Sequence, residues 1–201
     1  MREKGRILAL RHGRTAWNLE RRMQGLADVP LCEEGISRLH GLTIPARFGH
    51  YEWVSSPLRR CLETAALLGE TAVRRESRII EMNWGAWEGF SLAELRERDP
   101  VGMRENESRG LDFRPAGGES PREVAERLGP WLEQVGTAVE EIVMVSHKGV
   151  LRALLSRAIG WDMKDKAPVK LDWDRCQLFE VDTGGGVELA ETNISLARSG
   201  E

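Results

Sequence analysis

Two histidines follow strand-like segments of this chain in very similar contexts. Residues 7–10 are apolar and run into Arg11 and His12, and residues 142–146 run into His147. Either each strand simply reaches the surface at that point, or its end delivers side chains to a site. Imidazole can act as a nucleophile, and arginine binds phosphate oxygens through paired hydrogen bonds. Phosphate chemistry is therefore the first hypothesis for these residues.

Segments with strand and helix patterns alternate along the chain and must position these side chains. Strands are predicted at 6–11, 52–55, 72–75 and 142–146, with a hairpin over 176–193 that turns at the glycines 184–186. Helices are predicted at 31–47, after Ser56-Pro57, after the capping boxes that begin at Ser91 and Ser120, and from about 148. Pro130 is expected to kink the helix after Ser120, and residues 100–119 are expected to form a loop or lid.

This alternation predicts an α/β fold, a three-layer sandwich with a mostly parallel central sheet. Ligands of such sheets bind beyond the carboxyl ends of the strands. Parallel strands would bring His12 and His147 to the same edge, where helix N-termini and Arg11 also favour anions. Nearby cations would disfavour protonation and keep an imidazole nucleophilic.

A single strand-end histidine is commonly only a hydrogen-bonded surface residue. Two at equivalent strand ends, one of them preceded by Arg11, favour a site. His40 and His50 lack such a context and are interpreted as structural or solvated. Arg60 could supply a second guanidinium, although an Arg-Arg pair at a helix start is by itself typical of a solvated surface.

Seven short motifs, in order between about residues 6 and 155, resemble those of the histidine phosphatase superfamily, which is also called phosphoglycerate mutase-like. They are RHGRTAWN (11–18), QG (24–25), PLCEEG (30–35), SPLRRCLETA (56–65), IIEMNWGAWEG (79–89), GGES (117–120) and VSHKGVLR (145–152). The resemblance implies the phosphoglycerate mutase-like fold, with residues 1–201 as a single domain and a lid-like insertion at about 84–120.

The resemblance also implies a role for each matched residue. His12 would attack phosphorus and become phosphohistidine, while Arg11, Arg60 and His147 would hold the phosphoryl oxygens. Glu81 would protonate the leaving oxygen and then activate water, with Glu88 as a nearby alternative. The implied substrate contacts are Thr15, Asn18, Gln24 and Gly25, and Lys148, which departs from the family pattern, is a further candidate contact. The implied reaction needs neither a metal nor a cofactor, and the implied partner is a small phosphorylated substrate.

The sequence departs from the family pattern at two informative positions. Lys148 stands where glycine is common, and either points to solvent or favours an additional acidic group on the substrate. Cys32 stands where a helix-capping threonine is usual and is expected to cap less well. The segment between Gly89 and Gly117 is short for a mutase, so the resemblance is closer to the phosphatases.

Composition bounds the remaining possibilities. The net charge of −3 argues against a nucleic-acid partner, and no apolar run is long enough for a bilayer. The chain start does not have the pattern of a signal peptide, which predicts a cytoplasmic protein with no membrane partner. Cys32, Cys61 and Cys176 lack metal-ligand spacing and are expected to be free thiols. The oligomeric state is not predicted.

Three alternative functions stay open at this point. The protein could transfer the phosphoryl group back to substrate, as a mutase does. It could bind a phosphorylated ligand without catalysis, although the intact set of matched residues argues against that. It could be a metal-dependent hydrolase, although closely spaced ligand pairs such as HxH are missing from the sequence.

Overall fold

The structure is a computed structural model that describes residues 3–200. Eight strands are present: β1 (Gly5–Arg11), β2 (Leu42–Thr43), β3 (Glu52–Ser55), β4 (Arg74–Arg75), β5 (Glu141–Ser146), β6 (Cys176–Val181), β7 (Val187–Ile194) and β8 (Ala197–Arg198). The α-helices are α1 (Ala16–Leu19), α2 (Glu33–Leu39), α3 (Arg59–Leu67), α4 (Leu92–Arg98), α5 (Pro100–Glu107), α6 (Pro121–Ala138) and α7 (Lys148–Ile159). Short 3-10 turns lie at Ala46–Phe48, Ser77–Ile79, Gly85–Trp87 and Gly110–Asp112.

Six strands form the central sheet in the order β4-β3-β5-β1-β6-β7. The first four are parallel, whereas β6 and β7 add an antiparallel hairpin at one edge. The hairpin turns at the predicted glycines, where Asp182 Oδ1 accepts hydrogen bonds from the N–H groups of Gly184 and Gly186. The predicted mostly parallel sheet is confirmed.

Helices cover both faces of the sheet and make three layers. Alternate side chains of β1 and β5 enter opposite cores, as the two-residue period of a strand requires. Ile7 and Ile142 pack with apolar residues of α6 and α7 on one face, whereas Leu8 and Val143 pack on the other face with residues that include Leu39 of α2. The strand ends are therefore supported by packed side chains on both faces of the sheet.

The helix predicted over 31–47 is too long. It ends at Leu39, because Gly41 adopts a positive φ of 73° and the next residues pair with β8. Pro45 then precedes the 3-10 turn. Cys32 is the N-cap and makes no side-chain capping hydrogen bond, as predicted from its replacement of threonine.

Two other local predictions need correction. The helix after Ser56-Pro57 begins at Arg59, and Ser56 makes other contacts instead of capping it. The segment 100–119 is partly helical: α5 begins at Pro100, where Asp99 Oδ1 accepts a hydrogen bond from Gly102 N–H. A short polar residue before a proline is a good helix start, and this pattern outweighs the charged composition.

Both capping boxes form as predicted, at Ser91 with Glu94 and at Ser120 with Glu123. Helix α6 continues through Pro130 and ends at Ala138. No helix within residues 3–200 has the length and apolar composition needed to cross a membrane.

Candidate active site

The two strand-end histidines meet at one edge of the sheet, as predicted. In the parallel β1–β5 pair, Arg11 lies opposite Ser146, so His12 and His147 follow at equivalent positions. His12 N–H donates to the Ser146 carbonyl at 2.9 Å. The ring centroids of the two histidines are 5.2 Å apart. Strand β3 ends at the same edge, where Ser56 follows it.

His12 is held as a neutral imidazole with one free nitrogen. Its Nδ1 lies 2.7 Å from the Gly13 carbonyl, which only accepts, so Nδ1 carries the proton and Nε2 is left with its lone pair. Burial lowers the pKa of His12 well below its ordinary value, and the charges of Arg11 and Arg60 lower it further. The result is a nucleophile that stays unprotonated at neutral pH.

Arg11 directs positive charge into the cavity at this edge. Its guanidinium makes no ion pair with any residue in 3–200, and its buried Nε has no hydrogen-bond partner. A cavity of about 790 Å³ is lined by both Arg11 and His12. An unpaired guanidinium beside a nucleophile is a binding group for an anion.

Arg60 lies completely buried behind the cavity wall and fixes a loop. Its Nη1 and Nη2 donate to the carbonyls of Ala27 and Gly25, at 2.7 and 2.8 Å. Gly25 has a positive φ of 52°, and an added Cβ would clash with the carboxyl group of Glu88. Glu88 accepts a hydrogen bond from Leu26 N–H and so stabilises this loop. It is not among the residues that line the cavity.

His147 is completely buried, and two side chains contact its ring. Ser56 Oγ lies 2.7 Å from Nε2, and Cys61 Sγ lies 3.4 Å from the same atom. Burial lowers the pKa of His147 well below its ordinary value, with a further contribution from His12. Burial also raises the pKa of the Cys61 thiol, which therefore stays protonated. The contact of Ser56 with His147 is not evident from the sequence, although Ser56 begins the SPLRRCLETA motif.

Ser56→Ala is expected to lower kcat/KM by about tenfold, because it removes the hydrogen bond that orients the buried imidazole, a loss of about 1–3 kcal/mol. Ser55→Ala is the matched control: Ser55 is equally buried, but its hydroxyl donates to a backbone carbonyl. Steady-state kinetics and thermal melting of both variants check this prediction. Equal loss of activity in the two variants would contradict a positioning role for Ser56.

Glu81 is a buried carboxyl group that faces the cavity. Its Oε1 accepts hydrogen bonds from Met82 N–H at 2.9 Å and Gly149 N–H at 3.1 Å. Burial raises its pKa, although these two N–H groups, Arg60 and Arg11 act in the opposite direction. A carboxyl group with a raised pKa is suited to donate a proton.

The predicted substrate contacts divide into two groups. Asn18, Gln24 and Lys148 line the cavity, whereas Thr15 and Gly25 do not. Thr15 is completely buried and caps α1, and Asn18 Oδ1 accepts from its backbone N–H at 3.0 Å. Asn18 therefore keeps its amide N–H groups for a ligand, and Thr15 acts by orienting Asn18.

Part of the cavity wall was not predicted from the sequence. Met163, Asp172, Trp173 and Asp174 come from the segment between α7 and β6, and Arg152 comes from α7. This segment carries none of the matched motifs, so only the folded chain reveals its role. Within residues 3–200 no group of three or more His, Cys, Asp or Glu side chains is arranged to hold a metal ion.

Comparison with known proteins points to one family. Residues 7–194 match the histidine phosphatase superfamily (branch 1). The chain is 32% identical over 166 residues to phosphoserine phosphatase 1 of Hydrogenobacter thermophilus, covering 79% of this chain and 78% of that protein. It is 33% identical over 165 residues to a glucosyl-3-phosphoglycerate phosphatase of Mycobacterium tuberculosis, covering 74% and 73%.

Solved structures agree with this assignment. A mycobacterial glucosyl-3-phosphoglycerate phosphatase in complex with VO3 superposes with a TM-score of 0.76 at 26% identity, covering 95% of this chain and 100% of that one. YhfR of Bacillus stearothermophilus gives 0.77 at 26% identity, covering 96% and 98%. The ordered motifs, the sheet and these similarities together show that the chain belongs to the histidine phosphatase superfamily.

Proposed function

We propose that this histidine phosphatase hydrolyses small phosphomonoesters through a phosphohistidine intermediate. The observation that carries the proposal is the neutral His12 imidazole with its free Nε2, which lines one cavity together with Arg11. Nε2 attacks phosphorus, and the bond from phosphorus to the ester oxygen breaks. Water then attacks the phosphohistidine and releases inorganic phosphate together with free His12.

Glu81 serves both half-reactions in this proposal. Its carboxyl proton goes to the departing ester oxygen, and the resulting carboxylate takes a proton from the attacking water. The raised pKa of Glu81 supports the first of these steps, because it keeps the acid form present. Asn18 and Gln24 are proposed to contact the substrate from the cavity wall.

Positive charge around the phosphoryl group supplies most of the stabilisation. Arg11 reaches the cavity directly, whereas Arg60 and His147 are completely buried behind it. We assign direct contact with the phosphoryl oxygens to Arg11. Arg60 contributes its charge from behind the wall, and the ring of His147 packs beside that of His12.

The phosphatase activity is favoured over mutase activity by the short segment between Gly89 and Gly117. The probable phosphoglycerate mutase GpmB of Escherichia coli is also similar, at 29% identity over 182 residues, which covers 88% of this chain and 84% of that protein. A mutase would return the phosphoryl group to an acceptor alcohol instead of water. Release of inorganic phosphate from substrate therefore distinguishes the two activities.

Two features of cellular context belong to the proposal. We place the protein in the cytoplasm, which the three free cysteine thiols support. We also propose that residues 1–201 act as one domain in which the segment at about 84–120 serves as a lid. Trp84 and Phe113 of that segment line the cavity, which supports this role.

The proposal is tested by trapping the intermediate. The protein is mixed with an aryl phosphate in excess chelator, quenched in alkali and digested, and the phosphorylated peptide is identified by mass spectrometry. We expect phosphorylation at His12 and an equal rate of phosphate release with and without chelator. Phosphorylation elsewhere, or activity that chelator removes, would overturn the mechanism.

A further inference from the structure

Lys148 places an ammonium group in the cavity without an acidic partner. It is the first residue of α7, directly after His147, and its side chain is exposed at the cavity wall. Within residues 3–200 it forms no ion pair and no side-chain hydrogen bond. Its Nζ lies 5.2 Å from the centre of the Trp173 ring, a cation–π contact that restricts where the ammonium can lie.

None of the acidic groups of the cavity wall forms an ion pair with Lys148 within residues 3–200, and arginines hold three of them. Asp172 pairs with Arg175, Asp174 pairs with Arg14 and Arg38, and Glu107 pairs with Arg96. The fourth acidic residue is Glu81, which the proposed mechanism needs as a protonated acid.

The charges that surround Lys148 are mostly positive. Partial burial lowers the pKa of Lys148, the charges of Arg11 and Arg152 lower it further, and Glu81 acts in the opposite direction. Arg152 lies one turn along α7, on the same face, and its guanidinium is stacked over Trp161 at 4.8 Å. Like charges at this spacing repel one another. A ligand with negative charge beyond its phosphoryl group would relieve this repulsion.

We propose that Lys148 is a specificity-determining residue that binds a carboxylate on the leaving group of the substrate. This inference rests on the proposed function and names its substrate class: phosphomonoesters of small hydroxy acids. Arg11 binds the phosphoryl group, and the ammonium group of Lys148, which lies over the Trp173 ring, binds the carboxylate. A single ammonium offsets one negative charge, which suits a carboxylate better than a second phosphate dianion.

Two substrates that differ at a single carbon test this proposal. 3-Phosphoglycerate carries a carboxylate where glycerol 3-phosphate carries CH2OH. We expect the wild-type protein to have a kcat/KM about 10- to 100-fold higher for 3-phosphoglycerate, the range given by one hydrogen bond to a charged group. Lys148→Gln is expected to remove most of this preference, and Lys148→Arg to restore part of it.

Lys164→Gln is the matched control, because it removes the same charge from an exposed lysine near the cavity that does not line it. It should keep the wild-type preference. A preference that is absent in the wild-type protein, or unchanged in Lys148→Gln, would overturn the assignment of Lys148.

Binding measurements separate this inference from the proposed function. Calorimetry of both ligands with His12→Ala, and with the same variant carrying Lys148→Gln, reports recognition without turnover. A preference for 3-phosphoglycerate that depends on Lys148 supports the inference even if the wild-type protein hydrolyses neither compound, in which case the proposed function fails. Hydrolysis of both compounds with equal binding would overturn the inference and leave the proposed function standing.

Discussion

Replacement of His12 by alanine is expected to reduce kcat for every phosphomonoester by roughly four orders of magnitude or more, as loss of a catalytic nucleophile does elsewhere. The physical reason is the geometry at Nε2, which is the free nitrogen because Nδ1 donates to the Gly13 carbonyl. No other imidazole can take its place, since the Nε2 of His147 is already in contact with Ser56. Single-turnover kinetics with an aryl phosphate measure this loss directly.

His50→Ala is the matched control for this substitution. His50 is exposed, and its ring contacts Glu141 at the surface, so its removal should leave kcat at the wild-type value. His12→Gln retains the bulk of the side chain and guards against a folding defect, which thermal melting would reveal. Full activity in both His12 variants would show that another group attacks phosphorus.

Glu81→Gln is expected to lower kcat/KM by about 10²- to 10⁴-fold for alkyl phosphates, the usual contribution of a general acid. The amide oxygen of glutamine can still accept from Met82 and Gly149, so the local structure should persist. The loss should be much smaller for p-nitrophenyl phosphate, because its leaving group departs without a proton. Comparison of kcat/KM for the two ester classes measures this difference.

The same residue sets the alkaline limb of the pH profile. Burial raises the pKa of Glu81, so its acid form persists above the usual range of a carboxyl group and is lost as pH rises through that raised value. Activity on alkyl esters should therefore decline on the alkaline side in the wild-type protein and show no such limb in Glu81→Gln. On the acid side, the lowered pKa of His12 keeps the imidazole neutral until the pH falls well below the ordinary pKa of a histidine.

Glu88→Gln controls for the carboxylate that lies close by in sequence. It keeps an acceptor for Leu26 N–H and is expected to retain the wild-type difference between alkyl and aryl esters. If Glu88→Gln, and not Glu81→Gln, removed that difference, the assignment of the acid would be wrong.

Local patterns predicted the elements that carry the site. The apolar runs before His12 and His147 form β1 and β5, since parallel strands that are buried on both faces of a sheet have continuous apolar sequences. The capping boxes at Ser91 and Ser120 formed as written, since such boxes need only four consecutive residues. The predicted length of the helix over 31–47 was wrong, because the structure of that segment depends on a distant partner: the residues after Leu39 pair with β8, at the far end of the chain.

The sequence by itself determined the family, the parallel sheet and the identity of the strand-end groups, because motifs and hydrophobic periods can be identified along the chain without knowledge of its packing. Only the tertiary structure decided how those groups are used. In the folded chain, the Nε2 of His147 contacts Ser56, and the guanidinium of Arg60 donates to a loop carbonyl. The ring of Trp173 lies against the ammonium group of Lys148. Hydrogen-bond partners, burial and the resulting pKa shifts depend on side chains that are far apart in sequence, and packing alone brings them together.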